Sequence, residues 1–395
     1  GTVLDGQGGQ FVVRVDGDNV HVEDLSLRNA DAGIWVRGNN YAGERTTGVA
    51  IRGNKIDDVS DGISAIGGHE DLYIADNILQ GRLEPLETVG GGNDEGIVVT
   101  GTGILVEHNT VSGFIDSLGI SKQTDIANVG ISFRNNAVLW GGDDAIELDF
   151  AMRHVVAYDN MVANHANGLS FQPVYGGPAY AFDNIFYNIE RGPIKISPET
   201  DDPAGIFVIN NTFVRSGTAL TGSSGSVFNV EILNNLFIGD GEQDGNQYTT
   251  LAIRDLTEFA FDARFDHNAY LQDGTFRFSG ERGETFEAWR STGQFGRNDV
   301  LLAGEAVFEN VPLDFEDTGF AGRFRDLFDA SLDFGLADGS SAIDAGVVVN
   351  GINNDYAGDA PDIGALERGE QAPEVGARID VRDPEAPFAN RDRVL

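Results

Sequence analysis

The segment VAYDNMV, Val156–Val162, has the form of a short β-strand, a bend at Asn160 and the start of a second strand. The same form recurs along the chain with asparagines at Asn54, Asn77, Asn109, Asn136, Asn160, Asn184, Asn211, Asn235 and Asn268. Neighbouring asparagines are 23 to 33 residues apart, most often 24. A repeat of this length, with insertions at its loops, is typical of a stacked solenoid. We therefore expect the asparagines to form a ladder of side-chain amides that satisfies backbone groups at the bends.

A second apolar strand follows each bend, often with a glycine–isoleucine pair, and we call these strands the GI strands. Alternation predicts that one set of their residues points inward in register, namely Ile34, Ile63, Ile97, Ile120, Ile146, Leu169 and Ile194. The residues between them then point outward in a column. That column includes Trp35, Ser64, Val98, Ser121, Glu147, Ser170 and Lys195.

The composition agrees with an all-β repeat protein and limits its partners. The chain has 395 residues, with 52 glycines, two methionines and no cysteine, so it contains no disulfide. Its formal net charge of −37 argues against nucleic acid and anionic membranes as partners, because both bind basic patches. No apolar run is long enough to span a bilayer. Most surface carboxylates are typical of salt adaptation, and some could hold calcium.

This organisation resembles the right-handed parallel β-helix proteins of the pectate-lyase-like superfamily. The resemblance covers residues 1–270 and implies an all-β solenoid of about ten coils, whose GI sheet lines a substrate groove. We expect residues 271–370 to form an irregular C-terminal capping segment with a short helix at Glu284–Gln294, and residues 371–395 to be a polar tail or linker. The resemblance also implies a secreted, extracellular protein that acts on an extracellular polysaccharide. We expect it to be a monomer.

The stretch WGGDDAIELDF, Trp140–Phe150, concentrates carboxylates at one GI strand. Asp143 and Asp144 lie in the turn before the strand, whereas Glu147 and Asp149 take outward positions on it. The Cβ atoms of residues two apart on one strand are about 6.5 Å apart. Inverting glycosidases separate their carboxyl groups by about 6.5–9.5 Å. The spacing therefore favours an inverting acid/base pair, and a solvated rim or a structural calcium site is the alternative.

Three motifs in this region resemble those of polygalacturonase-type hydrolases. They are GGDDAIEL (Gly141–Leu148), HANGLS (His165–Ser170) and PIKIS (Pro193–Ser197), in the family's order, with a proline where the family has an arginine. The resemblance implies that Asp143 and Asp144 are catalytic acid/base residues and that Lys195 contacts a substrate carboxylate. Asp116 would correspond to the family's preceding aspartate.

β-Elimination on a uronate polymer would use the same residues differently, as would a C5-epimerase. Asp143, Asp144, Glu147 and Asp149 would then hold calcium, and Lys195 or Arg153 would take the C5 proton. Carboxylates raise the pKa of a nearby lysine and make it a poor base, so we place the hydrolase, which requires no cofactor, first. A non-catalytic carbohydrate-binding or adhesin β-helix remains a further alternative, because a solenoid needs no titratable site.

Other polar and aromatic residues beside the predicted groove are candidates for substrate binding. Aromatic side chains on loops can stack on sugar rings, and long polar side chains can bond to hydroxyl or carboxylate groups. The candidates are Gln172, His165, Tyr175, Arg153, Lys122 and Trp35.

Overall fold

A computed structural model describes residues 2–37, 45–83, 94–122, 126–196, 204–216, 219–222, 226–239, 258–259, 263–271, 276–278, 281–302, 306–311 and 332–378. Within these ranges the chain is almost entirely β-structure, and most strands pair in parallel as a solenoid. The predicted all-β parallel β-helix is confirmed. The solenoid has about eight turns, slightly fewer than the ten expected.

Most strands are short, and the longest ones continue from one sheet of the solenoid into the next. Their bounds are Thr2–Val15, His21–Glu23, Leu25–Val36, Ala50–Arg52, Lys55–Glu70, Tyr73–Ala75, Ile78–Gly81, Glu95–Glu107, Thr110–Ser112, Asp116–Ile120, Asn128–Arg134, Ala137–Val138, Asp144–Glu147, Ala151–Tyr158, Met161–Phe171, Ala179–Phe182, Ile185–Ile196, Ala204–Ile209, Thr212–Ser216, Leu220–Gly222, Ser226–Leu233, Leu236–Gly239, Glu258–Phe259, Ala263–Asp266, Ala269–Tyr270, Phe276–Phe278, Glu281–Gly283, Val300–Leu301, Phe308–Asn310 and Asp333–Leu336.

Each turn of the solenoid passes through three parallel sheets. After the asparagine bend at Asn54, the strand Lys55–Glu70 first lies in the sheet that directly follows the bends, which we call the ladder sheet. The same strand then continues into the GI sheet. The strand Tyr73–Ala75 then lies in the third sheet, beside Ala50–Arg52 of the preceding turn. The next bend follows at Asn77, where the cycle begins again.

The asparagine ladder is continuous along the solenoid. The Nδ2 atom of Asn160 donates hydrogen bonds to Oδ1 of Asn184 at 2.9 Å and to the carbonyl oxygen of Phe133 at 3.0 Å. The residue before each ladder asparagine has a left-handed backbone, which glycine, asparagine, aspartate and histidine adopt most readily. These residues are Gly53, Asp76, His108, Asn135, Asp159, Asp183, Asn210, Asn234 and His267. The sequence pair that marks each bend is therefore one of these four residue types followed by asparagine.

The predicted inward register of the GI strands holds at six of its seven positions. Ile97 pairs with Leu118, and Leu118 pairs with Ile146, so Leu118 takes the place predicted for Ile120. Ile120 is buried, so its predicted inward direction is correct, but its predicted register is wrong because Leu118, two residues earlier on the same face, takes that position. A shift of two residues preserves the alternation, so the pattern alone cannot distinguish the two registers.

Parallel pairing continues beyond residue 270. The strand Val300–Leu301 pairs with Ala269–Tyr270, and the backbone N–H of Asn268 donates to Oδ1 of Asp299 at 2.9 Å. The predicted helix is present at Phe286–Thr292, with Thr285 as its N-cap and a fully buried Trp289. The solenoid therefore includes part of the segment expected to form only a cap.

Residues 332–378 lie along the side of the solenoid, against the bends that carry the ladder. The side-chain amide of Asn210 donates to the carbonyl oxygens of Asp362 and Gly364. Farther along, Arg378 donates two hydrogen bonds of 2.7 Å to the carboxylate of Asp76. The segment thus returns toward the N-terminal turns, and the rest of the expected tail, 379–395, lies outside the described residues. No helix in the described ranges is long and apolar enough to cross a membrane.

Replacing Asn160 by alanine tests the stabilising role of the ladder. Asn160→Ala removes the buried hydrogen bonds that this side chain makes to Asn136, Asn184 and the carbonyl of Phe133, so we expect the free energy of unfolding to fall by about 1–3 kcal/mol. Urea unfolding followed by circular dichroism measures this change. Gln80→Ala, which removes an exposed side-chain amide, should change it by less than about 0.5 kcal/mol. Equal losses in the two variants would contradict a stabilising ladder.

Asp299, at the end of the ladder, should make stability depend on pH. Burial raises the pKa of Asp299 to about 8, whereas an unfolded aspartate has a pKa of about 3.9. The folded state therefore binds the proton more tightly, and stability falls as the pH rises from about 4 to about 8. We expect the unfolding temperature of Asp299→Asn to fall less over this range than that of the wild type. Asp338→Asn, at an exposed carboxyl, is the control, and equal slopes in all three proteins would contradict the prediction.

Candidate functional site

The outward residues of the GI strands stack in one column across the sheet. Successive members are Arg14, Trp35, Ser64, Val98, Gly119, Glu147, Ser170 and Lys195. The register shift at Leu118 places Gly119 in the column where Ser121 was predicted. A Cβ atom on Gly119 would lie 2.8 Å from Oε2 of Glu147, so glycine leaves room for this carboxylate. Ser197, the last residue of the PIKIS motif, lies outside the described residues.

Carboxylates also stack at the starts of the GI strands, one turn above another. The backbone N–H of Glu95 donates to Oδ1 of Asp61 at 3.2 Å, and that of Asp144 donates to Oδ1 of Asp116 at 2.9 Å. Glu95 and Asp116 are themselves paired in register. Asp61 and Glu95 were not among the predicted site residues, although an acid two residues before the inward aliphatic residue recurs at all four positions.

The carboxylates form two overlapping groups that share Asp116. Oxygen atoms of Glu95, Asp116 and Glu147 lie within 4.8 Å of one another, and so do those of Asp116, Asp143 and Asp144. Asp144 is 2% exposed, and its buried Oδ1 has no hydrogen-bond partner among the described residues. Hard cations such as calcium take six to eight oxygen ligands, so these residues could hold such an ion.

Burial and mutual repulsion raise the pKa values of carboxyl groups in the cluster. Burial raises the pKa of Glu95, Asp116 and Glu147, and the neighbouring carboxylates raise it further. Burial likewise raises the pKa of Asp144, although its contact with Lys195 opposes the shift. The cluster therefore favours the uptake of positive charge, as protons or as a cation.

Lys195 joins the cluster through Asp144. Its Nζ atom lies 2.7 Å from Oδ2 of Asp144. Burial alone would lower the pKa of Lys195, but the negative charges of Asp144, Asp143 and Asp149 outweigh it and raise the pKa. Asp143 accepts a hydrogen bond of 2.7 Å from Asn167. Four of the five predicted catalytic residues are thus brought together above the GI sheet.

Asp149, the fifth, has a different environment. It is 5% exposed, and Oδ1 accepts hydrogen bonds from Oγ of Ser170 at 3.0 Å and from the backbone N–H of Gln172 at 2.7 Å. The GI strand ends at Glu147, and Phe150 has a left-handed backbone with φ of 57°. Although the strand ends before Asp149, its bond to Ser170 of the column keeps this carboxylate on the outward side of the sheet, where its charge also acts on Lys195.

His165 lies in the interior of the solenoid. Its side chain is fully buried, with Nε2 2.9 Å from Oγ of Ser117 and Nδ1 2.8 Å from the carbonyl oxygen of Ala163. Burial lowers the pKa of His165 to about 4, so the ring is neutral at neutral pH. The structure therefore does not place His165 where it could contact a bound polymer.

Three candidate substrate-binding residues lie beside the cluster. The Nζ atom of Lys122 lies 5.5 Å from the ring centroid of Phe150, whose ring is 6.3 Å from that of Tyr175. Gln172 is half-buried next to Asp149. Phe150 was not among the predicted site residues, because its side-chain direction depends on a left-handed backbone that periodicity does not reveal.

The two remaining candidates lie elsewhere. Arg153 is exposed on the third sheet, paired with Val129, and does not join the cluster. Trp35 is in the GI column four strands from Glu147, stacked on Phe11 with ring centroids 5.6 Å apart. Trp35 could therefore contact only a distant part of a ligand that follows the column.

Neither a family model nor a curated protein matches the chain. Among solved structures, it is similar to one described as the crystal structure of pectate lyase Pel9A. The two share 16% sequence identity with a TM-score of 0.44, over 91% of this chain and 73% of the other. The class that the fold and the site define is a parallel β-helix protein with a carboxylate and lysine cluster on its GI sheet.

A double-mutant cycle tests the pair formed by Lys195 and Asp144. Lys195→Met leaves Asp144 buried without its cation, so without added metal we expect the free energy of unfolding to fall by about 3–5 kcal/mol. Adding Asp144→Asn to Lys195→Met should recover part of the loss, because the buried charge is then gone. Urea unfolding gives all the values, and Lys55→Met removes an exposed lysine as a control. A loss no greater than that of Lys55→Met would contradict a buried pair.

Proposed function

We propose that this protein is a secreted enzyme that cleaves a uronate-containing extracellular polysaccharide by β-elimination in a groove along the GI sheet. The observation that carries the proposal is the contact of 2.7 Å between Nζ of Lys195 and Asp144, at the edge of a cluster of carboxylates. β-Elimination needs a base near a site that offsets the substrate's carboxylate charge. Both requirements can be met by groups that lie within this cluster.

The residues that would hold a cation are Asp116, Asp143 and Asp144, with Glu147 beside them. The buried, unpartnered Oδ1 of Asp144 supports this fit, because an oxygen without a donor is costly unless a proton or a metal binds it. A calcium ion, when bound, would offset the charge of these carboxylates and of a substrate carboxylate.

Lys195 is the residue we assign as the base. It would take the C5 proton of the uronate onto a neutral Nζ, the C5–H electron pair would form the C4–C5 double bond, and the C4–O bond would break. The leaving oxygen would take a proton from solvent. Lys195 can act in this way only where the negative charge around Asp144 is offset, since that charge raises the lysine pKa.

An inverting hydrolase using Glu147 and Asp149 has less support. Its second carboxylate must activate a water molecule beside the sugar. Asp149 is 5% exposed and its Oδ1 already accepts bonds from Ser170 and Gln172, so this oxygen is poorly placed to activate water. For this reason we place β-elimination ahead of hydrolysis, the reverse of the order expected from the sequence, where the raised pKa of a lysine among carboxylates counted against the lyase.

A substrate screen tests the proposal. Incubation with pectate, alginate and neutral polysaccharides, with calcium or with EDTA, should give an ultraviolet-absorbing unsaturated product from one of the uronate polymers only. Lys195→Ala should lower kcat by about 10²–10⁴-fold, the usual contribution of general-base catalysis, whereas Lys55→Ala should not. New reducing ends without ultraviolet absorbance would replace the lyase by a hydrolase. Binding without cleavage would favour a non-catalytic carbohydrate-binding protein, and a changed C5 configuration without cleavage would indicate an epimerase.

The cation assignment has its own test, which does not depend on activity. Calcium titrated into the metal-free protein should raise the unfolding temperature, since a ligand at 100 times its Kd stabilises the folded state by about 2.7 kcal/mol. Asp144→Asn should remove most of this rise, whereas Asp338→Asn, at an exposed carboxyl, should retain it. An equal rise in both variants would place calcium elsewhere.

A further inference from the structure

The environment of Lys122 is unusual for a lysine in so acidic a chain. The chain has only three lysines, Lys55, Lys122 and Lys195, among 63 acidic residues. Lys122 is exposed, and it makes no ion pair within the part of the chain that the structure describes. Its ammonium instead lies 5.5 Å from the centroid of the Phe150 ring. A cation over an aromatic ring is attracted by the ring, and its positive charge is not neutralised by a carboxylate.

The position of Lys122 relates it directly to the site. Gly119 and Glu147 are paired in register, and Lys122 and Phe150 each follow three residues later on adjacent turns. Along the column, Lys122 is on the turn next to that of Glu147 and three turns from that of Lys195, so it lies beside a different sugar unit from the one at Lys195. Lys122 thus lies at the side of the same groove.

The backbone of Phe150 indicates that this arrangement is specifically maintained. A left-handed conformation costs an ordinary residue about 1–2 kcal/mol, and Phe150 adopts it with φ of 57°. The surrounding chain holds it there, because its N–H donates to the carbonyl oxygen of Pro173 at 2.7 Å and its carbonyl accepts from Asn128 at 3.2 Å. Strain of this kind concentrates at functional sites. It turns the ring toward Lys122 and Tyr175.

We propose that Lys122 binds the carboxylate of a uronate unit next to the cleaved bond, with Phe150 as its positioning residue. This inference rests on the proposed function in that the polymer carries uronates. An ammonium bonded to a carboxylate gives a charge-assisted hydrogen bond, which a methyl ester cannot replace. In a chain of net charge −37, a lysine that has no carboxylate partner among the described residues also offsets repulsion of an acidic polymer. Lys122 therefore selects acidic over esterified sugar units.

Binding measurements test this selection without requiring turnover. Tetramers of galacturonate and of mannuronate, each as the free acid and as the methyl ester, are titrated in calcium into protein carrying Lys195→Ala, which cannot complete the proposed reaction. Adding Lys122→Met should weaken binding of the acidic tetramer about fivefold, the value of an exposed ion pair near 1 kcal/mol. Binding of the ester should not change. Lys122→Arg should restore the preference, and Lys55→Met should leave it intact.

Phe150→Leu tests the positioning role, since leucine keeps an apolar side chain but removes the ring. The preference for acid over ester should fall while the unfolding temperature changes little. Equal affinities with and without Lys122, or no binding of either acidic tetramer, would overturn the inference. Cleavage of a uronate polymer by the wild type together with no effect of Lys122→Met would overturn this inference alone. Failure to cleave any uronate polymer would instead overturn the proposed function.

Discussion

The hydrogen bonds of the asparagine ladder are the interaction on which the rest of the structure depends. Each ladder side chain bonds to the next turn and to backbone carbonyls, as Asn136 does with Asn160 and Val106, so every bend is matched to its neighbours. Because all turns are aligned at this corner, side chains more than 50 residues apart in sequence meet on one sheet. The contact of Lys195 with Asp144, 51 residues away, is a consequence of that alignment.

The candidate site opposes the ordinary preferences of the fold. A parallel β-helix buries aliphatic residues in register, and here carboxylates occupy the starts of four successive GI strands. Most are half-buried and lie close together, and burial with mutual repulsion raises the pKa of Glu95, Asp116 and Glu147. Stability alone gives no reason to gather like charges in this way. Sites where local rules fail without a stabilising gain are where function is expected.

Predictions for individual site residues succeeded where the periodicity of a strand applied. Glu147 and Lys195 follow the alternation of their strands and lie in one column, as expected. Asp149 and Phe150 lie just beyond the end of a strand, where a left-handed backbone ends the alternation. His165 fits a motif in sequence, but its strand turns the ring into the interior, against Ser117. Motif order alone contained no information about this direction.

The sequence by itself determined the repeat, the ladder and the inward face of most GI strands, because period-two alternation and bend residues are local properties. It also marked the acidic stretch at Trp140–Phe150. Only the tertiary structure decided which residues of neighbouring turns pair with each other. Leu118 and not Ile120 pairs with Ile97 and Ile146, and a shift of two residues leaves the local pattern unchanged. The tertiary structure also decided that Asp116, Asp144 and Lys195 lie close together. The distances between these side chains depend on how the turns stack, and the residues next to them in sequence do not specify that stacking.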